Sequence, residues 1–119
     1  MGKISAILRD AEGGNGVKYL HFWCPGCQMV HGVTISGPKP WGYNGNAEKP
    51  TFTPSILVTW RTPKGYSNDN PAPVGWQGEY VQHACHSFVT DGRIQFLGDC
   101  THELAGQTVD LPPFNQWDD

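Results

Sequence analysis

The dipeptide Asp91-Gly92 stands between two runs that read as β-strand, Phe88-Val89-Thr90 and Arg93-Ile94-Gln95-Phe96. A two-residue Asp-Gly loop between such runs is the strongest short-range hairpin signal, because these residues tolerate the left-handed backbone of a tight primed turn. The hairpin decides what lies beside what. Cys85 and His86 precede one strand, while Asp99, Cys100 and His102 follow its partner, so all five return to the end away from the turn. With His83, this stretch holds two of the four cysteines and three of the five histidines. Thiols and imidazoles gathered at one end of a rigid element point to a metal site.

A second signal lies upstream. Cys24-Pro25-Gly26-Cys27 interrupts two strand-like runs, residues 17–23 and 29–35. Strand, Cys-x-x-Cys, strand is the layout of a zinc knuckle, in which Pro and Gly make the tight turn and backbone amides point at the thiolates. The redox reading of such a pair requires a βαβ context, and here strands flank it. The metal reading needs further donors. Cys85 and His86 supply them, with His31, His83, Cys100 and His102 in reserve. Thiolate with imidazole favours zinc. Neighbours in a regular strand point to opposite faces, so Cys85 and His86 both reach one ion only across a bulge. Cys85 also has the alternative of a buried core thiol. The expected ligands are Cys24, Cys27, Cys85 and His86.

The rest of the chain fits a mainly β fold: a small single-domain antiparallel sheet with a zinc knuckle and at most one short helix. Fifteen glycines and ten prolines in 119 residues favour short elements joined by turns. Residues 3–9 read as a strand and residues 12–16 as a turn. Asn44-Gly45 suggests another hairpin, and residues 51–60 form the most apolar strand, placed at an edge or a bulge by Pro54. Residues 61–78 form a polar loop that is long for a compact domain. Residues 101–105 suggest a helical turn stopped by Gly106, and residues 107–111 a last strand. A net charge of -3 without a basic run argues against nucleic acid as partner. No stretch approaches the roughly 20 apolar residues of a membrane helix. The N-terminus carries no signal-peptide pattern, so the expected location is the cytoplasm, where cysteines stay reduced. Two metalloenzyme patterns fail: His102-Glu103-Leu104-Ala105-Gly106 lacks the second His of a zinc-protease helix, and no His-x-Glu precedes Cys24 as in zinc deaminases.

Several blocks carry a resemblance. Phe22-Trp23-Cys24-Pro25-Gly26-Cys27 with His31, Pro50-Thr51-Phe52-Thr53-Pro54-Ser55-Ile56, the stretch from Cys85 to Gly92, and Asp99-Cys100-Thr101-His102 through Leu104-Ala105-Gly106-Gln107-Thr108-Val109 together resemble a small phage- and prophage-borne family of unassigned function. Its members are often labelled ammonia monooxygenase, a label that a chain without membrane spans or a copper-like histidine cluster does not support. More distant relatives occur beside bacterial ubiquitin-like conjugation genes. The resemblance to them implies a zinc-dependent peptidase acting on the tail of a ubiquitin-like protein. Those relatives carry Cys-x-Ser-His where this chain has His83-Ala84-Cys85-His86. Spacing aligns His86 with their His and His83 with their Cys, whereas residue type aligns Cys85 with their Cys. The third and fourth ligands thus stay open among Cys85, His86, His83 and His31.

In a peptidase of this kind a zinc ion keeps one position for water, and a carboxylate moves the proton. Asp99 is the expected base, with Glu103 next and His102 steadying the oxyanion. The alternative for Asp99 is a cap on the turn at Thr101. The loop at residues 61–78 would border a peptide groove beside the edge strand at Pro54-Ser55-Ile56, suited to strand addition. The competing hypothesis is a zinc-stapled binding module without chemistry, such as a phage accessory protein that blocks a host factor. Three protein ligands plus water favour the enzyme, and four protein ligands favour the module.

Overall fold

The computed structural model describes residues 2–66 and 70–114. Among them nine strands follow in chain order: β1 (Gly2–Lys3), β2 (Arg9–Glu12), β3 (Lys18–Cys24), β4 (Met29–Thr34), β5 (Gly42–Tyr43), β6 (Phe52–Pro63), β7 (Tyr80–Thr90), β8 (Arg93–Phe96) and β9 (Thr108–Asp110). They form two sheets, β1-β2-β3-β4 and β5-β6-β7-β8-β9, with every pairing antiparallel. The mainly β, antiparallel reading holds, with the strands divided between two sheets. Among the described residues no helix is long and apolar enough to cross a membrane.

Local chemistry explains the strand limits. Asp91 and Gly92 have φ of 51° and 78°, the left-handed pair that a primed turn requires, and they join β7 to β8. The strand expected over residues 3–9 is broken, because the Ser5 hydroxyl accepts the Ile7 and Leu8 amides at 3.1 and 3.0 Å and donates to the Ala47 carbonyl at 2.8 Å. A serine that offers the backbone such bonds competes with the sheet ladder. Asn44-Gly45 does not make a two-residue hairpin; β5 returns to β6 through a wider loop closed by Asn44 N–H to the Thr51 carbonyl at 3.2 Å. Pro54 sits where the register of β6 on β7 shifts between Phe52 and Ile56. β6 then runs on to Pro63, so the long connection begins later than expected and is pinched by Lys64 N–H to the Glu79 carbonyl at 2.9 Å. Residues 67–69 of that loop lie outside the described residues. The expected helical turn at 101–105 is a set of non-helical turns. Its first residue is committed to β7: Thr101 donates its amide to the Ala84 carbonyl at 3.0 Å, and its hydroxyl accepts the Ala84 amide at 3.0 Å.

The core lies between the inner faces of the sheets. Leu20, Phe22 and Val33 of the first sheet meet Phe52, Ile56, Val89, Ile94 and Phe96 of the second, all buried. The rings of Phe22 and Phe52 stack across the interface with centroids 6.1 Å apart. In β3 the expected alternation appears as buried Leu20, Phe22 and Cys24 against half-buried Tyr19, His21 and Trp23.

Candidate active site and metal centre

β7 is the pivot of both sites. It pairs with β6 without interruption from Ile56↔Ser87 to Pro63↔Tyr80, so no bulge separates Cys85 from His86. The two side chains therefore leave the sheet on opposite faces. Cys85 is 1 % exposed and points into the core, while the His86 ring is 27 % exposed on the outer face.

On the inner face Cys85 meets Cys24, Cys27 and His31, whose donor atoms all lie within 4.8 Å of one another. Three elements bring them together: Cys24 ends β3, Cys27 lies in the knuckle turn and His31 is in β4. The turn is closed by Gln28 N–H to the Cys24 carbonyl at 2.8 Å, and Cys27 N–H points at Cys24 Sγ at 3.4 Å. The donor set fits a tetrahedral ion. Cys24 Sγ and Cys85 Sγ are 3.8 Å apart, the edge of a tetrahedron with metal–sulfur bonds of about 2.3 Å. His31 is 4 % exposed, and its Nε2 is buried with no hydrogen-bond partner in the structure. A cation satisfies a buried ring nitrogen that stands beside three sulfurs.

The thiols show the same demand. Hydrogen bonds from Cys27 and Cys85 hold the Cys24 thiol far below its ordinary range. Reciprocally, the bond to Cys24 pushes Cys27 up to about 12, and the bonds to Cys24 and Cys27 push Cys85 up as well. Three thiols crowded this closely depress one member and raise the others, and a divalent ion would relieve that conflict by taking them as thiolates.

His102 backs this group. Its Nδ1 accepts the Leu104 amide at 3.2 Å, which leaves the proton on Nε2, 3.5 Å from Cys85 Sγ. The ring packs edge-on against Phe96 at 4.4 Å and fills the space where a Cβ on Gly26 would stand, so a side chain at residue 26 would displace the ring. Cys85, Cys100 and His102 also place their donor atoms within 4.8 Å of one another.

On the outer face His86 joins two other residues. Its Nε2 is 3.0 Å from Ser55 Oγ and its Nδ1 is 3.1 Å from Asp99 Oδ2. A carboxylate at Nδ1 keeps the proton on that nitrogen and leaves Nε2 to accept the serine hydroxyl. Ser55 belongs to the irregular stretch of β6 between Phe52 and Ile56, and bulges of this kind re-aim a side chain. Asp99 is held from both sides. Leu97 donates its amide to the His86 carbonyl at 2.9 Å, and Cys100 Sγ lies 3.2 Å from both the amide and the carbonyl of His86. The residues around Asp99 are thereby fastened to the backbone of the histidine it serves.

The structure thus gathers Cys24, Cys27 and Cys85, and adds His31. His86, expected among the ligands, faces away from them because the strand is regular. Asp99 and His102, expected at one centre, engage opposite faces of β7. His83 stacks on Trp60 at 5.2 Å and meets Thr62 Oγ1 at 2.8 Å, and it joins neither donor group. Ser55 was not singled out by its residue type. The only sequence signal was its place beside Pro54 in an edge strand, and its role emerges when the bulge sets it against His86.

No curated protein and no solved structure matches the chain. A family model described as bacterial ubiquitination-like system serine protease, BubE, matches residues 3–97. That stretch contains Ser55, His86 and all four residues of the cysteine–histidine group, and ends just before Asp99. The match agrees with the resemblance to proteins encoded beside bacterial ubiquitin-like conjugation genes, and with a serine that faces a histidine and a carboxylate. The chain belongs to the BubE family of bacterial ubiquitination-like system serine proteases.

Proposed function

We propose that this chain is a serine protease whose nucleophile is Ser55, whose general base is His86 and whose orienting carboxylate is Asp99. The observation that carries the reading is the continuous hydrogen-bonded series Ser55 Oγ, His86 Nε2, His86 Nδ1, Asp99 Oδ2, with links of 3.0 and 3.1 Å. In the first step His86 Nε2 takes the hydroxyl proton as Ser55 Oγ attacks the scissile carbonyl. The imidazolium is stabilised by Asp99 and returns the proton to the leaving amine. Water, activated by the same ring, then releases the acyl group from Ser55. The substrate in this reading is the tail of a ubiquitin-like protein, in line with the family's description.

In the same reading Cys24, Cys27, His31 and Cys85 hold a structural zinc ion. Bound there, zinc supplies a cross-link between the sheets, three donors coming from the first and Cys85 from the second. Four protein donors favour a closed site over one that keeps a position for water. Asp99, the base a zinc peptidase would need, engages His86 on the other face of β7. A closed metal site and hydrolytic chemistry, alternatives when only the sequence is considered, coexist here on two faces of one strand.

The test is covalent labelling. A fluorophosphonate probe should modify Ser55, mapped by mass spectrometry, in the zinc-loaded protein and not in Ser55→Ala, and a ubiquitin-like protein with a C-terminal extension should be cleaved by the same preparation. Cleavage that persists in Ser55→Ala and depends on added zinc would instead assign the chemistry to the metal.

A further inference from the structure

The edge of the second sheet leads directly to Ser55. β6 pairs with β7 through Pro63, but on its other side β5 covers only Phe52 and Thr53. Trp41, next to β5, donates its indole N–H to the Pro54 carbonyl at 3.2 Å and ends the covered part. Beyond it, among the described residues, no strand lies against this side of Ile56-Leu57-Val58-Thr59-Trp60-Arg61-Thr62, and no backbone hydrogen bond from outside the β6–β7 ladder reaches it. An exposed edge presents unpaired N–H and C=O groups at alternate residues, and natural sheets blunt such edges with proline, charge or bulges. Here the prolines stand at the two ends, Pro54 and Pro63, and Arg61 is the one charged residue between them. The undefended edge starts at the residue after the nucleophile.

The side chains agree with an occupant. Leu57 is the cross-strand partner of His86 and is 58 % exposed. Phe88, the next residue of β7 on the same face, is 41 % exposed. Two large apolar side chains in water therefore flank the catalytic histidine. Paired backbone and an apolar contact next to the scissile bond are what an extended peptide needs.

We propose that the substrate enters as an extended, unfolded polypeptide segment that adds to the second sheet as a strand along β6, on the line that β5 begins, and seats an apolar side chain against Leu57 beside Ser55. This rests on the reading of Ser55 as nucleophile and names the substrate class: an unstructured tail, recognised through its main chain and one apolar residue.

The experiment uses the zinc-loaded chain and a positional-scanning library of fluorophore–quencher decapeptides. One position next to the cleaved bond should select apolar residues. Single N-methylation of the selected peptide should lower kcat/KM by about 10-fold or more at alternate positions and little in between, since each lost main-chain bond weakens binding and attack. Leu57→Asp should lower kcat/KM on that peptide by about 10-fold or more. Its rate of fluorophosphonate labelling at Ser55 should stay within about two-fold of wild type, because a small probe uses no strand pairing. Wild type that is labelled but cleaves no peptide overturns the inference and leaves the nucleophile standing. So does a peptide indifferent to N-methylation, or a Leu57→Asp chain that slows both readouts or neither. A wild-type dimer that Leu57→Asp converts to monomer without loss of peptide cleavage gives the edge to a second copy and overturns it too. Absence of labelling in wild type removes the nucleophile, and the inference with it.

Discussion

Cys85 and His86 are both good metal ligands, and backbone alternation alone gives them different tasks. In an uninterrupted strand one residue faces the core and the next faces water. The thiol went inward, where it meets Cys24 and Cys27, and the imidazole outward, where it meets Ser55 and Asp99. This separates two histidines by experiment. His86→Ala is expected to keep one equivalent of zinc and to lose hydrolysis, whereas His31→Ala loses metal affinity; elemental analysis after gel filtration distinguishes them. Asp99→Asn should keep zinc and fold while lowering kcat by up to about 10,000-fold, because the amide offers Nδ1 no anion and allows the wrong tautomer. Equal activity in Asp99→Asn and wild type would reduce Asp99 to a loop anchor. The cysteine pair of the knuckle was legible in sequence because two thiols at fixed spacing around Pro-Gly have few other uses. Ser55 was not, since a hydroxyl becomes a nucleophile only through its neighbours, and those lie 31 positions away at His86.

The β7–β8 hairpin and the loop that follows it do most of the positioning. The turn was readable from Asp-Gly, and both residues take the left-handed conformation. Gly92 has a second reason to be glycine, since a Cβ there would lie 3.1 Å from the Lys49 backbone. Gly92→Ala should therefore cost about 1–2 kcal/mol, read as a lower urea midpoint, with the metal retained. Cys100 acts through its loop. Its sulfur lies 3.2 Å from the amide and from the carbonyl of His86, so it bridges the Asp99 segment to β7. A serine hydroxyl can make the same two bonds, and Cys100→Ser should change stability by about 1 kcal/mol or less and leave zinc in place. Loss of zinc from Cys100→Ser, by contrast, would bring Cys100 into the ligand set through its approach to Cys85. The bulge at Pro54 was foreseen as an edge or an irregularity, but its consequence was not. A proline signals that the ladder is interrupted and says nothing about where the next side chain points.

At the scale of the whole molecule, the two sheets meet through a thin apolar core and the cysteine–histidine group. Three donors belong to the first sheet and Cys85 to the second, and the residue after Cys85 is the catalytic histidine of the proposed triad. The proposed metal site and the proposed triad are therefore coupled through one peptide unit, although they share no atom of chemistry. Structural zinc contributes on the order of 10 kcal/mol in small metal-folded peptides, comparable to the whole stability of a domain of this size. Stripping zinc should then abolish hydrolysis by loosening β7, even though no reaction step uses the ion. The signature separates this from a catalytic metal. On addition of a chelator, near-ultraviolet circular dichroism, fluorophosphonate labelling of Ser55 and peptide cleavage should all fall with one time constant, because a single unfolding event removes them together. A catalytic zinc would instead let cleavage vanish while the fold and the labelling of Ser55 persist. Cys24→Ser should reproduce the chelated state without chelator, and Ser55→Ala should reproduce neither the loss of metal nor the loss of fold.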